Sequence, residues 1–455
     1  SVLLWTAVAT EPFLAQNRRP MTLLDVQELA RPGSWVPSPN GQWMLYTIST
    51  PDWQEDTSQL DIHLVSMSEG LASDRQMTFT NDKNERSPQW SRDGNFFVFT
   101  SDRDATESIH QLYFMRPDGG EARQITNVDH GVVDFAFSYD GAWLAYRSGE
   151  AGVEQLYRLP ADDLFSANAD QMTDGVAGIE AWAWARDSRS VYFVRQNSRD
   201  EDDVRRREEN FTVDIKNAVT PLSNLWVADL VAHTTRQLTN LSDVSVTDFD
   251  LSSDGRWVTF VGGSAERYER NITASRLYAD QYLLELSTGH IERLTENFEV
   301  TERGLSVSPD GRWVAFAGRT SKVWLWDAIT RKPPVALSVH GRVNGLRFHP
   351  KQRLIGVASA DSSVQLIDFK GAQRLPLRGH YNEVNEMDFS QDGRAAVAVG
   401  DDGTTRQWEV ATGRPMWRAP ALLRSPPHLL THRGWWDLHT NQPAEIATPA
   451  PTWHK

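Results

Sequence analysis

The sequence predicts an all-β chain, and three periodic features carry that prediction. A Ser/Pro/Asp/Gly turn stands between two alternating apolar–polar runs eight times in 455 residues. A phrase ending in threonine follows the first five copies, and a Trp-Asp type of phrase follows the last three. The copies lie 41–67 residues apart, a period suited to one supersecondary unit per repeat. Together these features specify a β-propeller of eight four-stranded blades around a central channel. Seven blades, or an imperfectly closed ring, remain open alternatives.

The copies read "VPSPNGQWMLYTIS", "QWSRDGNFFVFTS", "FAFSYDGAWLAYRS", "WAWARDSRSVYFV", "FDLSSDGRWVTFV", "LSVSPDGRWVAFAG", "LRFHPKQRLIGVAS" and "MDFSQDGRAAVAVG". Each is a hairpin: period-2 alternation puts one side of each strand in a core, and Asn-Gly or Asp-Gly supplies the positive φ of a tight turn. The turn positions are Gly41, Gly94, Gly141, Ser188, Gly255, Gly311, Gln352 and Gly393. The threonine phrases "DRQMT", "ARQIT", "ADQMT", "TRQLT" and "IERLT" end at Thr78, Thr126, Thr173, Thr239 and Thr295, where an outer strand should pass to the next blade. Beyond them Trp326-Asp327, Ile367-Asp368 and Trp408-Glu409 recur every 41 residues. Trp436 follows Trp408 by only 28 residues, too few for a blade, so 419–455 reads as a Pro-rich tail or a partial closing blade. The expected division is therefore 1–21 as an N-terminal segment, 22–300 as five blades, 301–418 as three more, and 419–455 as closure.

Composition narrows function. With no Cys there is no disulfide framework, zinc-thiolate site or cysteine nucleophile. A formal charge of −15 opposes nucleic acid, whose phosphates would be repelled. That charge is uneven: residues 301–455 hold 20 Lys+Arg against 14 Asp+Glu, leaving 26 against 47 for residues 1–300. No apolar run is long enough for a membrane span. The opening "SVLLWTAVATEPFLAQ" reads as a possible signal-peptide remnant, which favours an exported or periplasmic location over a cytoplasmic one.

Residues 22–300 resemble the propeller of the prolyl oligopeptidase family, in its acylaminoacyl and dipeptidyl peptidase branch. The stretches that carry the likeness are "MTLLDVQELARPGSWVPSPNGQWMLYTIS", the series of R-Q-x-T strand ends, "NLWVADL" and "LTENFEV". TolB-like propellers share the "SPDG" turn. The last three blades look like WD repeats, best seen in "GHYNEVNEMDFSQDGRAAVAVGDDGTTRQWEV". That resemblance implies a structural hydrogen-bond tetrad over His380, Asp402 and Trp408, its hydroxyl member falling near Ala398 and missing. The sixth blade opens in one style and closes in the other, "KVWLWD", which makes the chain look like a hybrid with a seam near Arg319.

Peptidases of the resembled family carry their nucleophile in a G-x-S-x-G elbow on an α/β-hydrolase domain. No such pentapeptide occurs here. The nearest stretch, "GGSAE" at Gly262, lacks the second Gly, and the 37 residues of 419–455 cannot form a hydrolase domain. His428, His432 and His439 sit in a Pro- and Gly-flanked extended stretch rather than on one helical face, so no metal and no cofactor is expected. Dipeptidyl peptidases hold a substrate amine with a propeller Glu pair; Glu208 and Glu209, in a charged insertion at 197–217, are the tempting equivalents, although such insertions are usually solvated. Trp435 and Trp436 must point to opposite faces of a strand, which makes one of them the best single contact residue.

The leading expectation is a non-enzymatic scaffold that binds a protein or peptide on a propeller face. Alternatives are the substrate-gating propeller of a serine peptidase whose catalytic domain is absent, and a recombined or engineered propeller with no native partner.

Overall fold

A computed structural model describes residues 30–443, apart from 199–203, 210–220, 265–278 and 296–301 and breaks of one to four residues elsewhere. The named elements are all strands, and they pair into four-stranded antiparallel sheets, each a simple meander. Eight of these are blades, at 31–76, 85–124, 132–171, 179–237, 244–293, 302–338, 343–378 and 384–420. The first strands of neighbouring blades approach one another, so each blade runs outward from the channel. This is the eight-bladed propeller that the repeat predicts. Past it, Leu423–Arg424, His428–Thr431, Gly434–Asp437 and Gln442–Pro443 pair into a further small sheet. The last strand of blade 8, Pro415–Pro420, meets the outer strand of blade 1, Gly70–Gln76.

The hairpin turns share one hydrogen-bonded device. In blade 2, Ser91 Oγ donates to Asp93 Oδ1 at 2.6 Å and accepts from the Phe96 N–H at 3.1 Å. Ser138 with Asp140, Ser252 with Asp254, Ser308 with Asp310 and Ser390 with Asp392 repeat the first bond. Seven of the eight predicted turn residues have positive φ, Ser188 at 59° among them. Gln352 does not. There the ring of His349 replaces the Ser–Asp pair, its Nδ1 accepting from the Lys351 and Gln352 N–H groups at 3.0 and 2.9 Å.

Turns of adjacent blades also interlock. Arg92 Nε donates to Ser138 O, Asp140 N–H to Ser188 Oγ, and Arg256 Nη2 to Asp310 O, while His349 Nε2 meets Gly393 O at 2.8 Å. Gly393 is constrained twice, by its φ of 75° and by the His349 ring, which a Cβ would overlap.

One expectation changes. Alternation predicted a single buried side per strand, but second strands are buried on both sides over most of their length, and throughout in Phe97–Ser101 and Leu354–Ser359. The reason is that a blade is packed on both faces by its neighbours, so its inner strands read as near-continuous apolar runs. Seven core clusters each join two successive blades, from Leu45 with Phe97 between blades 1 and 2 to Leu366 with Trp408 between blades 7 and 8.

Replacing Gly393 by Ala strains the turn and pushes against His349. We expect a loss of about 2 kcal/mol of stability in denaturant unfolding; an unchanged midpoint would contradict the interlocking of turns.

Candidate binding face and channel

The outer strand of each of the first five blades is tied to its third strand by the threonine that ends it. Thr126 Oγ1 accepts from the Leu112 N–H at 2.9 Å and donates to Gln111 Oε1 at 2.8 Å, while Gln124 Nε2 donates to Thr126 O at 2.8 Å. Thr173 does the same with Gln155, and Thr239 with Asn224. Blades 1 and 5 substitute a carboxylate: Thr78 faces Asp61 and Thr295 faces Asp280, each at 3.4 Å. These clasps lie on the face where second strands pass to third and outer strands pass to the next blade. The two longest connections, between Gln196 and Ser223 and between Ser264 and Asp280, leave from that same face.

The last two blades use other chemistry. In blade 8, His380 Nδ1 lies 3.0 Å from Asp402 Oδ1, and Asp402 also accepts from the Tyr381 N–H, the Thr404 N–H and Thr404 Oγ1. Burial would raise the Asp402 carboxyl, but these hydrogen bonds, His380 foremost, outweigh it and hold the group well below the usual carboxylate range. Trp408 is fully buried, yet its Nε1 donates to Arg378 O at 3.0 Å rather than to a hydroxyl. Ala398, near which the expected hydroxyl falls, is a buried alanine, and Gly400 stands 41 residues after Ser359 of blade 7, which bonds to His340 O. A Cβ on Gly400 would press on the His380 ring, and Thr404, from the third strand, reaches His380 Nδ1 at 3.2 Å instead. In blade 7, Gln365 bridges the His340 N–H, His340 O and Asp361.

Every blade carries a β-bulge in its innermost strand. A bulge adds one unpaired residue and re-aims the side chains beside it. The residues at the irregularities include Val133, Glu180, Thr247 and Asn385, all exposed. Asp248, Asp250, Glu386 and Asp388 are exposed on the same inner strands, so the channel wall is rich in carboxylates. Asp250 is reached by solvent, yet enclosure by protein raises its carboxyl, opposed by the Leu251 N–H and by the charges of Arg347 and Arg186. Accessible to water but surrounded by the low-dielectric walls of other blades is what a channel position means physically. Arg347 Nη2 in turn donates to Glu386 at 2.8 Å.

Of the predicted contact residues, Glu209 is exposed beside a short turn in which its N–H donates to Arg205 O. Glu208 lies outside the described residues, as does the possible signal remnant at 1–21. Trp435 and Trp436 occupy adjacent positions in Gly434–Asp437, paired with Leu430 and Leu429; their side chains lie outside the description. "GGSAE" begins in the strand Trp257–Ser264, where Gly262 admits Val244 and Tyr282 against its backbone, a packing role and no nucleophile elbow. Among the described residues no group of three or more His, Asp or Glu could hold a metal ion, and no helix is long and apolar enough to cross a membrane.

Asp61 belongs to a buried polar network at the junction of blades 1 and 2. Gln59 Nε2 bonds both Asp61 Oδ2 and Thr80 O, and Thr80 Oγ1 donates to Glu85 Oε1 at 2.6 Å. Burial and the nearby Glu85 charge push the Asp61 carboxyl up to about 6. A group raised on folding contributes stability that is complete below its unfolded value near 4 and is lost as pH rises through about 6. Blades 2 to 4 already use an amide at this position. Asp61→Asn should therefore leave the melting temperature unchanged near pH 4 and raise stability by about 1–2 kcal/mol at pH 8; a lower melting temperature at pH 8 would contradict this.

Comparison with known proteins finds likeness to WD repeats and to a peptidase. The profile of the WD domain, G-beta repeat, matches residues 331–368 and 371–409. Dipeptidyl-peptidase 5 of Porphyromonas endodontalis is 24% identical over 289 residues, 63% of this chain and 37% of that protein. Nuclear distribution protein nudF of Aspergillus niger is 24% identical over 231 residues, 44% of this chain and 52% of its own length. WD repeat-containing protein 91 of Xenopus tropicalis is 32% identical over 93 residues, 20% of this chain and 12% of that protein. The chain thus spans about a third to a half of the first two relatives. It is a β-propeller that carries WD repeats and is partly similar to a dipeptidyl peptidase.

Proposed function

We propose that the chain is a non-enzymatic scaffold that binds a protein or peptide on the face bearing its long connections, at the mouth of the channel. The observation that carries this reading is that the strand ends flanking those connections lie on one face of a ring whose channel wall is rich in carboxylates. Loops held by a rigid frame suit recognition, and acidic walls favour a partner segment carrying Lys or Arg. The WD repeats support the same reading, since the matched relatives include WD proteins named for nuclear distribution and not for a reaction.

A second reading has its own support. The threonine clasps of the first five blades and the 289-residue similarity to dipeptidyl-peptidase 5 suit a propeller that gates access to a hydrolase domain. The two readings meet in a hybrid origin: peptidase-style blades continued by WD-style blades, with the join in blade 6. Blades pack mainly on their neighbours, so such a join preserves the fold.

Affinity capture from source cells with mass spectrometry, comparing the wild-type chain with an Asp248→Lys/Glu386→Lys variant of equal melting temperature, tests the scaffold. Under this reading a reproducible partner set is lost with the variant. Identical capture by both proteins, or covalent labelling of the purified chain by a fluorophosphonate serine probe, contradicts it.

A further inference from the structure

Opposite the loop-bearing face, the hairpin-turn face carries a groove of about 650 Å³ between blades 2 and 3. A volume of this order lies in the range of sites that hold small ligands or a few residues of peptide. Its floor is aromatic and fixed by the inter-blade core: Phe96 packs on Phe114 at 4.9 Å and edge-on to Phe137 at 5.9 Å. Phe165 stands edge-on to Phe114 at 5.6 Å and is 40% exposed.

Phe165 is there because blade 3 departs from the repeat. Between its third strand, Gln155–Pro160, and its two-residue outer strand, Asp170–Gln171, run residues 161–169; blade 2 spans the same corner with residues 117 and 118. The longer connection buries Leu164 and turns Phe165 outward over the groove.

The rim is acidic. Asp93, Asp118 and Asp162 line the groove, with Arg116 at one side. An adjoining pocket of about 510 Å³ shares Asp93 and Asp162 and adds Asp140 and Arg92, whose guanidinium is committed to the carbonyls of Phe137 and Ser138. The Asp118 and Asp162 carboxylates make no hydrogen bond or ion pair among the described residues. The molecule already shows what such a surface accepts, for the Arg123 guanidinium lies 3.7 Å from the Phe165 ring centroid.

We propose that this groove is a second docking site, on the face away from the channel, for an extended basic peptide segment. An apolar side chain of the segment would sit on Phe96, Phe114 and Phe165, and flanking Lys or Arg would face Asp118 and Asp162. Neutralising exposed carboxylates at an aromatic surface combines salt-sensitive attraction with a fixed apolar anchor. The inference does not rest on the channel reading and survives its failure.

The test is fluorescence anisotropy with a labelled nonapeptide of alternating lysine and leucine, and with its glutamate–leucine counterpart, at 50 mM and 500 mM salt. The lysine peptide should bind at low salt, weaken about tenfold at high salt, and be favoured strongly over the glutamate peptide. Phe165→Ser and the double variant Asp118→Asn/Asp162→Asn should each weaken it about tenfold. These side chains are exposed; should Phe165→Ser melt early, the double variant carries the test alone. Equal binding by wild type and double variant overturns the site. So does equal affinity for the two peptides, no binding at 1 mM lysine peptide, or loss of binding in Asp248→Asn/Asp250→Asn alone, which would place the peptide in the channel.

Discussion

A four-stranded blade has two apolar faces, and neither can be left in water, so each blade must be covered on both sides by another. Fully burying a Leu, Phe or Val side chain contributes about 1.5–3 kcal/mol, and the cores between successive blades hold many such groups at zero exposure, Leu64, Phe97, Phe193 and Phe260 among them. The ring is the consequence. Once the faces are committed to neighbours, the two rims, the channel wall and the outer strands remain free to carry function.

Those free surfaces are shaped by small departures from regular strand geometry. A bulge in every innermost strand re-aims side chains toward the channel, and residues such as Glu180 and Thr247 are exposed there as a result. On the opposite rim, interlocked turns hold the groove walls of blades 2 and 3 in place through Arg92 and Ser138. A surface built this way is stiff, which lowers the entropic cost of holding a partner. The polar clasps matter for the same reason. Threonine in the first five blades and the His380–Asp402 pair in the last satisfy buried backbone and side-chain groups where one blade hands over to the next.

Much of the fold was legible because each blade repeats a local hydrogen-bond pattern. Ser, Asp and Gly in a turn, or Gln and Thr at a strand end, bond within a few residues or across one strand pair, so their spacing survives in sequence. What was illegible is long-range. Nothing near Asp61 announces that Glu85, from the next blade, will raise its carboxyl. The channel carboxylates Asp248 and Asp250 look like ordinary solvent-facing residues of an alternating strand, and only a ring brings Arg347 and Arg186 within electrostatic reach of Asp250. Ala398 offers no hydroxyl to the blade 8 network, and only the folded sheet brings Thr404, from the third strand, to His380 instead. Phe165 escaped notice because blade 3 departs from the repeat at that corner.

Blades of two hydrogen-bonding styles form one ring through continuous face-to-face packing, including across blade 6, where Trp313–Gly318 pairs in regular register with Lys322–Asp327. Differential scanning calorimetry measures this most directly. One ring predicts a single transition whose calorimetric and van't Hoff enthalpies agree to a ratio of about one. Two resolved transitions, one following blades 1–5 and one following blades 6–8, would contradict it.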